Sequence, residues 1–278
     1  MSKNPTPSLN IVGCGRVGRV LGRLFSHQNV FRIQDVLTRS QSTACAAVAF
    51  VGAGTPCTDV ARLRPADVTL LGVPDDQIAA ACAALAAQGL LSADSIVFNC
   101  SGALSSAALS AAIACDAAVA SVHPIRSFAD PETVAQQFSG TFCGVEGDAR
   151  ALQLLQPALL AIDARPVVID ADAKTLYHAA SVFACNYLTT IMDTALRAYS
   201  AAGIAPELAG QIAQPLVAET LANIFRLGPE QALTGPIARG DLDTVARQQA
   251  AVTAWDDAAG TLYGVLADAT QRLAQRRR

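Results

Sequence analysis

Residues 8–25 read SLNIVGCGRVGRVLGRLF, an apolar run leading into three glycines spaced G-x-G-x-x-G. Leu9–Val12 predicts a buried strand that runs directly into Gly13. Gly13 permits a tight turn, and Gly15 leaves the backbone open to close approach by a phosphate group. Gly18 lets the following helix, RVGRVLGRLFSHQ, pack closely on the sheet. Cys14, Arg16 and Val17 complete the turn, and the unpaired N–H groups at the helix start face the same space and favour anions. This strand, turn and helix predict a dinucleotide site formed by Gly13, Cys14, Gly15, Arg16, Val17 and Gly18.

The pattern continues outward. FRIQDVLT predicts a second strand, STACAAVAFV a helix, ADVTLLGV a strand with a continuous apolar run, and DDQIAAACAALAAQ a helix with Asp75 or Asp76 as N-cap. SIVFNC, AAVASVH, TFCGVEG and RPVVI predict further strands, with the helix DARALQLLQPALLAI before the last. Continuous apolar strands separated by helices mark a parallel sheet covered on both faces. After Asp170 the strands stop. DADAKTLYHAASVFACNYLTTIMDTALRAYSAAG predicts one helix of roughly thirty residues, capped by Asp170 or Asp172 and ended by Gly203. Its apolar and small residues lie nearly all round, which predicts burial on most faces. PELAGQIAQPLVAETLANIFRL predicts a helix kinked near Pro215. The expected fold class is α/β: a doubly wound, mostly parallel sheet over residues 1–170, then an all-helical domain over 171–278.

Composition narrows the function. A net charge of −3 and a pI of about 5.6 argue against a nucleic-acid partner, whose footprint is a basic face. The only basic run, Arg276–Arg278, reads as a solvated tail. No stretch of about 18 apolar residues escapes Gly, Pro or charge, and the first eight residues are polar, so neither a membrane span nor a signal peptide is expected. The eight cysteines are scattered without metal or disulfide spacing and read as small buried residues of a reducing cytoplasm. No metal is expected.

The end of the second strand selects the cofactor. An NAD enzyme carries Asp or Glu about 20 residues beyond the glycines. Here that count reaches Thr38, Arg39 and Ser40, while Asp35 falls too early. A guanidinium and two hydroxyls suit a 2′-phosphate, so NADP, as NADPH, is expected over NADH. Gly72, Val73 and Pro74 end the next strand, on the side of the sheet where ligands bind, and offer a flat apolar turn behind a ribose or nicotinamide ring.

The runs GCGRVG, LTRS, LLGVPDDQI, NCSGALSS, SVHPIRSF, YHAASVFACNYL and ALTGPIARGD follow one another along the whole chain. In that order they resemble a family of uncharacterised proteins with a Rossmann-like first domain and a helical second domain. That family is related to the 6-phosphogluconate and 3-hydroxyisobutyrate dehydrogenases, prephenate dehydrogenases, pyrroline-5-carboxylate reductases and ketopantoate reductases. Some of its members act as an alternative ketopantoate reductase. The resemblance implies an NADPH-dependent oxidoreductase acting on a small 2-oxo acid or similar carboxylate-bearing carbonyl, with ketopantoate as the leading candidate. A prephenate-type dehydrogenase, an imine reductase and a catalytically silent NADP-binding module are the alternatives. Asn99 stands where many members have histidine.

Reduction of a 2-oxo acid needs a carboxylate anchor and a proton donor beside the carbonyl oxygen. Of the three histidines, His27 reads as surface, His123 ends a strand on the ligand side, and His178 opens the long helix. A free imidazole titrates near about 6.5, which suits proton donation at neutral pH. His178 is the expected donor, with His123 as its rival. Asn186 follows eight residues later on an unbroken helix, within about 80° of His178 and roughly 12 Å along the axis, and would hold a substrate oxygen. Related ketopantoate reductases carry a lysine on the equivalent helix, and the resemblance puts His178 in its place. Ser101 and Gly102, in CSGALSS, resemble the serine–glycine loop that holds a carboxylate, while Ser105 or Ser106 reads as a helix cap. Arg239 is a further carboxylate partner, with a salt bridge to Asp241 or Asp243 as the rival reading, and Asp241 caps the helix DLDTVARQ. Tyr177 reads as packing. The apolar long helix further predicts a homodimer formed through the helical domain.

Overall fold

The computed structural model describes residues 6–276. The chain divides into two compact units, Met1–Phe183 and Ala184–Arg278. The boundary read from sequence, at residue 170, falls where the last strand has ended; the units divide later, inside the helical run.

The first unit is built on one eight-stranded sheet. Its strands are β1 (Ser8–Val12), β2 (Arg32–Leu37), β3 (Thr55–Cys57), β4 (Val68–Leu71), β5 (Ile96–Asn99), β6 (Ala118–Pro124), β7 (Phe142–Gly147) and β8 (Arg165–Val168). Their order is β3-β2-β1-β4-β5-β6-β7-β8, with β1 to β6 parallel and β7 antiparallel to β6. The fold is Rossmann-like, and the order reverses between β1 and β4. Ligands of such sheets bind outside the carboxyl ends of the strands at that reversal. The helices of this unit are α1 (Arg16–His27), α2 (Gln41–Val51), α3 (Ile78–Ala87), α4 (Ser110–Ile113), α5 (Pro131–Gln136), α6 (Ala149–Leu160) and α7 (Lys174–Val182).

Strand alternation sends side chains to two cores. Leu9, Ile11, Leu70, Phe98 and Val122 join one core; Val12, Leu71, Val97 and Val119 join the other. Both edge strands are short and carry a proline, Pro56 in β3 and Pro166 in β8. The strand β3 and the helix α5 carry no strong pattern and were not foreseen.

The long helix departs from expectation. It runs as α7, a π turn over Phe183–Tyr187, and α8 (Leu188–Ala201). Neither Asp170 nor Asp172 caps α7: its N-cap is Ala173, and the Asp170 carboxylate accepts instead from the Asp172 amide. Gly203, at φ +91°, lies just past the end of α8, where a left-handed residue closes a helix. The expected burial is also absent within the chain. Lys174 is the one buried residue of α7, α8 has none, and Leu176, Phe183, Tyr187 and Ile191 are exposed.

The second unit continues with α9 (Pro206–Leu227), α10 (Pro229–Ala232), α11 (Pro236–Arg239), α12 (Leu242–Trp255) and α13 (Asp257–Arg276). Pro215 lies inside α9, which stays helical through it. Asp241 caps α12 by accepting from the Thr244 amide. Leu208, Ile212 and Leu216 recur every fourth residue of α9 and are exposed. No helix among the described residues is long and apolar enough to cross a membrane. The expectation that the cysteines are buried fails for Cys45 and Cys185, which are exposed on helical surface.

Candidate active site

A cavity of about 880 Å³ opens at the carboxyl ends of β1, β2 and β4. The glycine turn forms its floor. Gly13 takes φ +81°, which residues with a Cβ rarely adopt, and any side chain there would meet the Val73 amide at 2.7 Å. At Gly18 a Cβ would lie 2.9 Å from the Gly13 carbonyl, so this glycine brings α1 onto the strand. Gly15 is different: its nearest neighbour would be 3.9 Å away, and the space above it is open. Open backbone at a helix N-terminus is the cradle a pyrophosphate needs.

Of the predicted cofactor residues, Gly13, Cys14, Gly15, Thr38, Arg39, Ser40, Gly72, Val73 and Pro74 line this cavity. Arg16, Val17 and Gly18 do not. Arg16 is exposed, Val17 packs on the core, and Gly18 is buried under Gly13. Arg19, nearly one turn after Arg16, lines the cavity instead, and its Nε is buried without a hydrogen-bond partner among the described residues. An unpartnered guanidinium nitrogen beside a glycine cradle fits an anionic ligand. Burial pushes the Cys14 thiol up to about 12, so it stays neutral.

At the end of β2, Thr38 and Ser40 share hydrogen bonds with Thr43 at 2.9 and 2.8 Å, and Arg39 is exposed. Asp35 is unavailable to a ribose: it is buried and ion-paired with Arg64 at 2.5 Å. Asp59 also reaches the cavity wall, where its carboxylate caps a short turn through the Ala61 amide.

Asp75 does not cap the helix after β4, whose N-cap is Gln77. Its carboxylate accepts a 2.8 Å hydrogen bond from the Ser101 hydroxyl, tying the cavity rim to the loop after β5. That hydroxyl also accepts from the amides of Ala103 and Leu104. Ser101 is therefore committed to shaping the loop. Asn99 is fully buried and holds the same loop, accepting from the Ser101 amide at 3.0 Å and the Ser121 hydroxyl at 2.9 Å. Ser106 caps no helix; its amide and hydroxyl both donate to Glu146.

Sequence reading missed the centre of this network. Lys174 is 1% exposed, ion-pairs with Glu146 at 3.2 Å and donates to Ser121. Lysine is almost never fully buried without such pairing. Burial lowers its pKa while Glu146 raises it, with the net direction downward. The reversal of β7 makes the pairing, because it sets Glu146 opposite Ser121 and Gly144 opposite His123.

His123 and His178 come together over Gly102. Their ring centroids are 5.3 Å apart and nearly perpendicular. A Cβ on Gly102 would lie 2.9 Å from His123 Nε2, 2.6 Å from His178 Cε1 and closer still to His178 Nδ1. Both imidazoles reach this point only because residue 102 has no side chain. His178 Nδ1 is buried without a partner among the described residues. His123 Nδ1 is 2.9 Å from the Tyr177 hydroxyl. Burial first, then the charges of His178 and Lys174, push the His123 imidazole down to about 4. Burial pushes the Tyr177 phenol up to about 12. His27 is exposed, as expected.

Asn186 and Arg239 belong to the second unit. Asn186 sits exposed in the π turn, so the helical face it was expected to share with His178 is not an unbroken α-helix. Arg239 closes α11 and forms neither of the salt bridges considered, although its charge helps hold the Asp241 carboxyl below its usual range, after the hydrogen bonds from Thr244 and the charge of Arg247. No group of three or more metal-ligating side chains occurs among the described residues.

Residues 141–270 match a domain of unknown function, DUF2520. No curated protein matches by sequence. Solved structures align along nearly all of the chain. BF3122 from Bacteroides fragilis, provisionally named an NADP oxidoreductase, is 19% identical with a TM-score of 0.79, over 96% of this chain and 98% of that one. Protein TM1727 from Thermotoga maritima is 27% identical with a TM-score of 0.72, over 97% and 100%. The Plasmodium falciparum pyrroline carboxylate reductase, solved with NADP bound, is 10% identical with a TM-score of 0.61, over 98% and 100%. Prephenate dehydrogenase and imine reductase structures share the same architecture. The chain has the fold of the NAD(P)-dependent oxidoreductases.

Proposed function

We propose that the protein is an NADPH-dependent oxidoreductase that reduces a small carboxylate-bearing carbonyl compound, with ketopantoate as the leading candidate. One observation carries this reading. The hydrogen bond from Ser101 to Asp75 joins the rim of the glycine-floored cavity to the loop on which two histidines converge, so the cavity and the two imidazoles are neighbours in one unit.

The roles follow from the geometry. The backbone from Gly13 to Gly15 and the Arg19 guanidinium, whose Nε has no hydrogen-bond partner among the described residues, would hold the pyrophosphate. Thr38, Arg39 and Ser40 would hold a 2′-phosphate, and Asp35, the acid that would favour NADH, is engaged elsewhere. Gly72, Val73 and Pro74 would back the nicotinamide side. When bound, the nicotinamide supplies hydride to the carbonyl carbon. His178 holds at Nδ1 the proton that the oxygen receives. The backbone of Gly102 is the substrate carboxylate's first contact, while Ser101 shapes the loop from behind. These assignments rest on the first unit alone. The second unit contributes the homodimer, with the exposed row Leu208, Ile212 and Leu216 covered by a second copy of the chain.

The test is a screen of NADPH oxidation across 2-oxo acids, ketopantoate included, with a cyclic imine and with prephenate plus NAD+ as parallel arms. Oxidation dependent on a 2-oxo acid supports the reading. Turnover only in a parallel arm replaces it with an imine reductase or a prephenate-type dehydrogenase. Tight NADPH binding with no turnover in any arm leaves a silent binding module.

A further inference from the structure

Resting on that reading, we propose that Tyr177 positions His123 as a neutral, Nε2-protonated imidazole, which leaves proton donation to His178. Neither Tyr177 nor this division of labour was apparent in the sequence.

Counting hydrogens points to one tautomer. The Tyr177 phenol bonds His123 Nδ1 at 2.9 Å and has no other protein acceptor among the described residues. If Nδ1 carried the hydrogen, the phenol proton would be left without a protein acceptor, beside a β7 backbone so close that a Cβ at Gly144 would lie 2.9 Å from Tyr177 Cζ. If the phenol donates, Nδ1 is satisfied and the ring hydrogen must sit on Nε2, the atom aimed at Gly102. A phenol raised to about 12 keeps its proton to donate.

The charges around His123 keep it neutral. On α7 it touches Tyr177 and His178 and feels the charge of Lys174, whose own charged neighbours include Glu146 and Asp75. Neither nearby carboxylate is free to stabilise an imidazolium. Glu146 is taken by Lys174 and Ser106, and Asp75 by Ser101. Lys174 and His178 both oppose a positive charge on His123. An imidazole held neutral by its surroundings serves as a fixed dipole, and the work of acid falls to its neighbour. The step balances simply: hydride adds to the carbonyl carbon, the oxygen takes the His178 proton, His178 is left neutral, and His123 and Tyr177 keep their hydrogens.

The test is 15N NMR of the full chain labelled at histidine, where three residues give a readable spectrum and His27→Gln and His178→Gln together assign the His123 signals by elimination. His123 is expected to show the Nε2–H pattern and to remain neutral from about pH 8 down to about pH 5.5. In Tyr177→Phe, which keeps the ring, the pattern should relax to mixed tautomers. NADPH affinity should stay within about twofold, while kcat on an identified substrate falls roughly tenfold with KM little changed. An Nδ1–H pattern in the wild type, or proton uptake by His123 above about pH 6, overturns the proposal. If Tyr177→Phe does not fold, the wild-type spectrum alone decides. The spectrum needs no substrate, so failure of every activity screen sinks the proposed reaction without touching the tautomer.

Discussion

Substituting alanine at Gly102 tests whether the two histidines work where the structure puts them. The added methyl would lie 2.6 Å from His178 Cε1, nearer still to Nδ1, and 2.9 Å from His123 Nε2, whereas ordinary contact begins at 3.4 Å. The His178 ring must therefore retreat by roughly 1 Å, a displacement that costs about 10²-fold in rate when it separates a catalytic group from its target. That corresponds to about 2.7 kcal/mol of barrier. The backbone is not the source of the loss, because residue 102 has no positive φ and alanine is tolerated in its conformation. Neither does the cavity change, since Gly102 is not on its wall. Gly102→Ala should thus keep the NADPH dissociation constant, measured by fluorescence titration, and lose about two orders of magnitude in kcat/KM on the substrate found by the screen. Full turnover in the variant would refute the placement of the proton donor. Loss of NADPH binding would show that the loop serves the cofactor instead.

Arg39→Asp should weaken NADPH by about 1.5–3 kcal/mol and leave NADH nearly unchanged, as read by parallel titrations; equal losses would remove the 2′-phosphate assignment. Acid should destabilise the protein through His123. The folded chain takes up this proton at about 4 and the unfolded chain near 6.5, so stability is lost as pH falls through that window. The loss from this group is bounded at about 3 kcal/mol. Urea midpoints between pH 7 and pH 5 should accordingly fall less steeply in His123→Gln, and identical slopes would rule the group out. Ile212→Glu should lower the mass seen by light scattering from dimer to monomer, and a wild type that is already monomeric would end the dimer proposal.

The parts of the site governed by backbone geometry were legible from sequence, and the parts governed by side-chain pairing across strands were not. Gly13, Gly15, Gly72 and Pro74 could be read because a turn and a close approach each demand particular residues at particular spacings. Arg16 and Arg19 differ in helical direction, which spacing alone does not show: both sit near the same turn, but Arg16 is exposed and Arg19 lines the cavity. Lys174 looked like any lysine of an exposed helix start. Its partner Glu146 carried the one available signal, a carboxylate inside an otherwise buried strand, but nothing in TFCGVEG says that this strand runs against its neighbour. The π turn was invisible for a related reason. Ala, Cys, Asn and Tyr in succession serve an α turn equally well, so the period of the pattern hid the change in winding.

The two border strands of the sheet have a bearing on how copies of this chain meet. A border strand with free N–H and C=O groups invites another strand to add to it, and open sheets grow or aggregate along that line. Here each border is only three or four residues long and is interrupted by a residue that has no N–H to offer, Pro56 on one side and Pro166 on the other. The sheet is a closed account in the direction in which sheets usually spread. Specific self-association is left to helix surfaces, where side-chain shape rather than backbone complementarity decides the partner. A misfolded or crowded population of this chain is correspondingly protected from strand-by-strand growth of its native sheet.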